Sequence, residues 1–388
     1  MGRLAAQAHT RQILLAGGIF SLAAGLILWP DGAAQAVREG ILLCGNVLIP
    51  ALFPFFLLSS LVVELGFSRY LARALSPIMG PLFRVNGSCG AALALGVVGG
   101  YPVGARTAIQ LYRSGQCSKT EAERLLAFCN NCGPAFILGV VGSGLFHSGR
   151  AGLLLYAAHL LASLTVGVLF RFYRPEEGGA APSKAPSFRA VSFSAVFSRA
   201  VGEALSGCLN ITAFVLTFSV LLRILTLSGL MELASALLAA LLAPLGFDRV
   251  WAGRLLTGLL ELASGVSSLT DGTPARRLSM AAFMLGWAGL SVHCQVLAFL
   301  GDSGLSLRPY FLGKLLHSCL SSCFILFFVY IFHLEGEPAC FLPLEAPETL
   351  DFYGTFVHFT SAAWLFWTGM MIFSSFTAKY AIVKRRRL

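Results

Sequence analysis

Charge is scarce in this chain. Asp, Glu, Lys and Arg make up 12% of its 388 residues, about half of the roughly 25% usual in soluble domains. So little charge over such a length excludes a pair of soluble domains. A mean hydropathy of +0.77 makes it one polytopic domain in a lipid bilayer instead. Recognisable reaction motifs are missing too. There is no Walker A loop, no HExxH and no GxSxG, which removes ATP-driven pumps and the common hydrolases, so neither an enzyme nor a cofactor or metal site is expected. A basic face interleaved with aromatics is also lacking. The net charge of +10 therefore does not indicate nucleic acid; Lys and Arg sit in short loops between apolar runs, as membrane topology requires. Close cysteine pairs are few. Of ten cysteines, only Cys129/Cys132 and Cys319/Cys323 are near neighbours, with no second pair at zinc-ribbon spacing, and they read as reduced thiols.

What the chain has in abundance is apolar sequence broken by glycine and proline. The stretch Gly96–Gly142 holds two such breaks, GGYPVGA at Gly99–Ala105 and FCNNCGP at Phe128–Pro134. Gly loosens the backbone, and Pro removes a donor and disfavours helix in the residue before it. In lipid, unwound backbone survives only when buried in protein or lining a watery cavity. Two breaks close in sequence, with Asn130 and Asn131 at one of them, form the pattern of a transporter's binding centre.

In chain order, Arg3 and Arg11 precede an apolar run from Gln12 to Trp29. Ala34-Gln35-Ala36 resembles a signal-peptide cleavage site, but the run exceeds the usual ~7–15-residue apolar core, so residues 1–35 are expected to keep an uncleaved first span. A first repeat over 36–173 follows. It comprises a span at Ile41–Glu64, an interfacial amphipathic helix at Phe67–Phe83, the broken run Cys89–Gln110, and spans at Leu126–Phe146 and Ala151–Phe172. Residues 174–199, rich in Pro, Gly, Ala and Ser, form a linker. The pattern then restarts over 200–333, with a span at Ser206–Leu227, a short helix at Leu230–Leu245, a second broken run at Val250–Asp271, and spans at Ser279–Leu300 and Tyr310–His333. An acidic loop (334–353) leads to a C-terminal span and basic tail (354–388).

The halves can be laid on each other with Gly104 against Gly265 and Gly133 against Gly289. Identity is low, so the support is the shared order of elements, which is the usual build of secondary transporters. The basic tail belongs in the cytoplasm and the acidic loop outside. Counting back, the segments around Arg69–Arg84 and Arg113–Arg124 both fall inside only if Cys89–Gln110 enters the membrane and returns on the same side. The same logic makes Val250–Asp271 a hairpin entering from outside, although it leaves Arg249, Arg254, Arg276 and Arg277 outside. The expected fold is an all-α polytopic membrane protein, multi-pass in a cell membrane. It has about eight full spans and two re-entrant hairpins in two inverted repeats.

The segment GGYPVGARTAIQLYRSGQCSKTEAERLLAFCNNCGPAFILGVVG resembles the central motif of the sporulation integral membrane proteins of endospore-forming bacteria. These are nucleoside-recognition (gate-domain) membrane proteins related to concentrative nucleoside transporters. The resemblance runs over about Ala36–His333, including GLLELASG in the second half, where the family pattern usually has Thr in place of Ala263. It implies passage of dipicolinate, a pyridine dicarboxylate, from the mother cell towards the developing spore, in the outer forespore or mother-cell membrane. The alternative it leaves open is a non-transporting sporulation protein, acting as an assembly partner or a nucleoside-type sensor.

The candidate residues fit a small anionic or heteroaromatic solute. Free backbone N–H groups and positive helix ends at the breaks, marked by Gly104, Gly133 and Gly265, suit carboxylates. Arg106, just after the first break, offers a bidentate donor or is a positive-inside loop residue. Asn130 and Asn131 line a polar cavity or hold helices together. Tyr101 stacks on an aromatic ring or packs the tip. Glu261 is a coupling site for a proton or sodium ion, or the partner of Arg254. His293, beside Gln295, titrates, binds solute or is a satisfied interior histidine. Ser264, with Ser267 and Ser268, lines the site or packs helices. The partners expected are the solute, the coupling ion and the bilayer; a homo-oligomer is compatible with the sequence.

Overall fold

A computed structural model describes residues 2–65, 67–174, 193–301 and 303–332. The expected acidic loop and C-terminal span, with most of the linker, lie outside the described residues. Helix is the regular structure throughout: α1 (Gly2–Leu28), α2 (Pro30–Leu43), α3 (Ile49–Glu64), α4 (Phe67–Ile78), α5 (Gly90–Gly99), α6 (Val103–Arg113), α7 (Lys119–Phe128), α8 (Gly149–Phe170), α9 (Phe193–Leu227), α10 (Leu230–Leu242), α11 (Arg249–Leu260), α12 (Leu262–Ser267), α13 (Pro274–Trp287), α14 (Gly289–Leu300) and α15 (Arg308–Ile331). Between α7 and α8, residues Ala135–Leu145 wind as a π-helix, the looser winding that relieves Pro134 and the glycines beyond it.

Local sequence explains the boundaries. Ser118 and Glu121 form a reciprocal capping box that starts α7. Asp248 caps α11, and Thr273 followed by Pro274 starts α13. The expected amphipathic helix is α4, continued to Phe83. One boundary differs from expectation: α9 begins at Phe193, well before Ser206. Within its first turns Arg199 pairs with Glu64 of α3 at 2.8 Å.

Among the described residues, four helices or helix pairs are long and apolar enough to cross a bilayer, or up to seven if three sharply bent pairs each count as one. The expected span in 354–388 lies outside these residues. Ile19, Ile27, Leu153 and Leu241 are exposed along the helices, which is how lipid-facing side chains present themselves.

Two groups of polar contacts mark the two ends of the bundle. At one, the Asn86 amide donates to Glu121 (2.7 Å), Ser88 donates to the Gln116 carbonyl (3.0 Å), and Glu123 accepts from Ser306 N–H (2.8 Å). Buried Arg124 there donates to the carbonyls of Arg84, Tyr173 and Arg174. At the other, Arg254 pairs with Asp271 at 2.8 Å, Arg276 donates to the Gly246 carbonyl at 2.8 Å, and Arg277 stands 4.8 Å over Phe146. Helix α8 runs from Gly149, just beyond Phe146, to Phe170, just before Tyr173, and so joins the two groups. The mouth of the α5/α6 pair lies in the first group and that of α11/α12 in the second. Arg254, Arg276 and Arg277 therefore serve as local anchors of a hairpin mouth, with Arg254 and Arg276 flanking Trp251 at 4.9 and 4.2 Å. The hydrogen bond from Arg254 holds the exposed Asp271 carboxyl below the usual carboxylate range.

Candidate functional site at four helix breaks

The same pair of close contacts recurs in both halves. In the first, α5 and α6 cross at Gly96 and Gly104, and a Cβ on either would strike the Cys129 carbonyl oxygen. In the second, α11 and α12 cross at Gly258 and Gly265, where a Cβ on Gly265 would strike the Gly258 Cα. The tip of each pair then meets the break of the following span. A Cβ on Gly133 would stand 3.2 Å from the Gly100 Cα, and one on Gly289, at φ +79°, would stand 3.0 Å from the Leu262 nitrogen. Backbone approaching backbone this closely leaves no room for a side chain. Gly104 and Gly265 thus hold the hairpins together and do not line the cavity.

A cavity of about 80 Å³ sits where the breaks converge. Its walls are mostly apolar, from Leu48, Leu52 and Phe56 to Phe214 and Val292, with Tyr101, Glu261, Ser291 and Gln295 as the polar groups and Gly133 at one edge. This is the composition of a small-molecule site: an apolar surface with a few placed polar atoms.

Glu261 is the residue between α11 and α12, in extended conformation, and is 2% exposed. Its carboxylate accepts from the backbone N–H groups of Ala263 (3.0 Å) and Ser264 (2.6 Å), the first turn of α12. Both oxygens thus accept from N–H donors at a helix N-terminus, an arrangement suited to the ionised form. Arg254 is not its partner, because that guanidinium is engaged with Asp271.

The other candidates are distributed unevenly. Tyr101 lines the cavity, and its hydroxyl donates to the Leu285 carbonyl at 2.7 Å. Asn130 and Asn131 are buried behind the cavity. The Asn131 amide donates to the Phe128 carbonyl at 3.1 Å, its Oδ1 lacks a hydrogen-bond partner, and the Asn130 amide lies against the Tyr310 hydroxyl. His293 is fully buried, with Nδ1 2.8 Å from the Tyr310 hydroxyl and its ring edge-on to Trp287. Ser264 contributes its backbone N–H to Glu261 and does not reach the cavity. Arg106 is not brought to the site: it is exposed, with its guanidinium 6.0 Å from the Phe299 ring. Its position on α6 turns it away from the break, since the face of α6 that packs inward carries Gly104, Ala105, Ala108 and Ile109.

Two features were not singled out from the sequence. Lys314 of α15 is 1% exposed and donates to the Tyr101 hydroxyl (2.8 Å) and the Asn130 carbonyl (3.1 Å). His159 of α8 and His317 of α15 face each other with ring centroids 4.3 Å apart, and His159 Nε2 accepts from the Cys132 N–H at 3.0 Å. A lysine inside an otherwise apolar run is a signal that reading by spans can use, but Lys314 lies close enough to Arg308 to pass for an end-of-span residue.

The nucleoside-recognition (Gate) family model matches residues 47–146 and 208–303. The chain is 31% identical over 333 residues to the sporulation integral membrane protein YlbJ of Bacillus subtilis (strain 168), across 81% of this chain and 82% of that one. Its fold is similar to that of the concentrative nucleoside transporter CNTnw in an inward-facing substrate-bound state, with a TM-score of 0.54, 13% identity, and coverage of 82% and 86% of the two chains. An intermediate state of a CNTnw variant gives a TM-score of 0.55 at 13% identity, covering 85% and 87%. At such identity the likeness concerns fold. The chain is a membrane protein of transporter-like architecture, and it belongs to the sporulation integral membrane protein family of nucleoside-recognition gate-domain proteins.

Proposed function

We propose that this chain carries a small anionic, heteroaromatic solute across its membrane by alternating access, and that the solute is dipicolinate moving from mother cell to developing spore. One observation carries the reading: four helix breaks converge on a single cavity that also holds an intramembrane carboxylate. Regular helix would satisfy its own backbone; breaks expose N–H and C=O groups to whatever occupies the cavity. The solute's identity rests on the sporulation family. The reading includes two inverted repeats, 36–173 and 200–333, each with a hairpin that enters and leaves on one side. The mouths of α5/α6 and α11/α12 at opposite ends support it. A cytoplasmic C-terminus belongs to the same reading.

Glu261 is the coupling group in this scheme. An anion entering beside an ionised carboxylate meets like charge in a poorly screening site. Binding of a proton or a sodium ion at Glu261 removes that repulsion, so solute and cation enter together. Uptake of labelled dipicolinate and of nucleosides into proteoliposomes, with and without proton or sodium gradients, tests this. Dipicolinate flux driven by one gradient is expected. Absence of flux for every solute favours the non-transporting assembly partner or sensor, and flux of nucleosides alone replaces the solute.

A further inference from the structure

We infer that Lys314 is the counter-charge that receives a carboxylate of the transported solute, at a buried polar cluster behind Tyr101. This deepens the transport reading above and rests on it. The first observation is a buried amine with no carboxylate beside it. Lys314 is buried at the middle of the protein, its ammonium has three donors, and two of them go to neutral acceptors, the Tyr101 hydroxyl and the Asn130 carbonyl. Among the described residues no carboxylate comes within salt-bridge distance of it. A buried ammonium without a counter-ion is costly and is replaceable by an apolar side chain of similar size. Its retention needs a ligand that gains from it.

The second observation is independent of charge. The side chains near Lys314 carry buried polar atoms with no hydrogen-bond partner, Nδ1 of His159 and Nδ1 of His317, while the Asn130 amide lies against the Tyr310 hydroxyl. Buried polar groups are otherwise satisfied almost without exception. The histidine tautomers follow from their bonds. His159 Nε2 accepts from the Cys132 N–H, so its Nδ1 carries the proton and is a donor without an acceptor. His317 Nε2 donates to the His159 carbonyl at 3.0 Å, which leaves its Nδ1 as a lone-pair acceptor. His159 Nδ1–H and the third Lys314 N–H are therefore donors without a protein acceptor. The lone pair on His317 Nδ1 suits a polar hydrogen of a solute or a water.

Tyr101 separates this cluster from the cavity. Its ring lines the cavity, while its hydroxyl is held on the far side by Lys314 and the Leu285 carbonyl. A carboxylate reaching Lys314 from the cavity has to pass Tyr101, whose hydroxyl already holds one of the three N–H groups. Tyr101 is then a competitor for the ammonium as well as a wall of the site, and swinging it aside joins cavity and cluster. The class of ligand is a compact, planar molecule with at least one carboxylate.

The full chain in nanodiscs provides the test, with pyridine-2,6-dicarboxylate and the uncharged pyridine-2,6-dicarboxamide as probes in equilibrium binding. The wild type should prefer the dicarboxylate. Lys314→Met should weaken dicarboxylate binding about ten- to a hundredfold, the worth of one charge-assisted contact, and leave the dicarboxamide within about twofold. Tyr101→Phe removes the competing acceptor and keeps the lysine, so it should tighten dicarboxylate binding about two- to tenfold. Dicarboxylate binding unchanged in Lys314→Met, or both probes weakened equally, overturns the assignment of Lys314 and leaves the transport reading standing. If Lys314→Met does not fold, Tyr101→Phe decides, and unchanged or weaker dicarboxylate binding overturns the proposal. A wild type that binds neither probe removes dipicolinate as the solute, and this inference with it.

Discussion

Replacing Glu261 by Gln tests whether the second hairpin depends on a carboxylate at its tip. The helix it starts, α12, has six residues, too few to be stable alone. Two of its first N–H groups end on the two oxygens of Glu261, at 3.0 and 2.6 Å. Gln offers one acceptor and turns an N–H₂ donor towards the other N–H. One bond to a charged group is therefore lost, worth about 1.5–3 kcal/mol, and with it the attraction of the negative charge to the helix N-terminus, about 0.3–1 kcal/mol. Together these come to about 1.8–4 kcal/mol, and at ~1.4 kcal/mol per factor of ten local opening of the tip should become about twenty- to several hundredfold more frequent. Hydrogen–deuterium exchange of the purified protein in lipid reads this directly. Peptides covering 262–268 should lose protection in Glu261→Gln while those of α8 keep it. Unchanged protection at 262–268 would refute the capping role. The same variant separates cap from coupling: flux that persists but no longer responds to a proton or sodium gradient assigns the carboxylate to the ion, whereas flux still driven by the gradient leaves it as a cap alone.

Other expectations follow from particular contacts. Gly104→Ala and Gly265→Ala each force a Cβ into neighbouring backbone. They should cost at least about 1–3 kcal/mol, seen as reduced membrane abundance and lower thermal stability, with Gly17→Ala, which meets nothing within 4 Å, as the unaffected control. Arg106→Gln should leave solute flux per molecule within about twofold, because an exposed cation that does not line the cavity contributes little; a loss of tenfold or more would return Arg106 to the site. Cysteines placed at Ser118 and Ser148 should react with impermeant thiol reagents from opposite faces of the membrane, since these residues start α7 and α8 at opposite ends of the bundle. Labelling of both from one face would refute the two-ended arrangement.

The sequence was most legible where a residue's chemistry forbids an alternative. Gly-Tyr-Pro and Cys-Gly-Pro cannot continue a helix, and the breaks at residues 100–102 and 129–134 stand where they do. Equally, a carboxylate amid GLLELASG has few tolerable places in a bilayer, and Glu261 occupies one of them, at a helix start. Setting Gly104 against Gly265 and Gly133 against Gly289 identified positions that make matching contacts in the structure, but for a reason that spacing alone does not supply. These glycines are required by backbone crossing backbone, so their conformational freedom is used for proximity and not for ligand contact. Legibility fell where meaning depends on which way a side chain turns. Arg106 and Tyr101 both adjoin the same break, yet one faces away and the other faces the cavity, and an α-helical turn of register decides between them. Lys314 shows the limit most clearly. Its significance is that Tyr101 and Asn130, more than 180 residues away in the chain, reach it while no carboxylate among the described residues does. An unpaired charge is a statement about every neighbour at once, so it is visible only after the helices have been packed. The site therefore divides in two: a frame of breaks and glycines written locally, and a charge whose purpose is set by what folding leaves beside it.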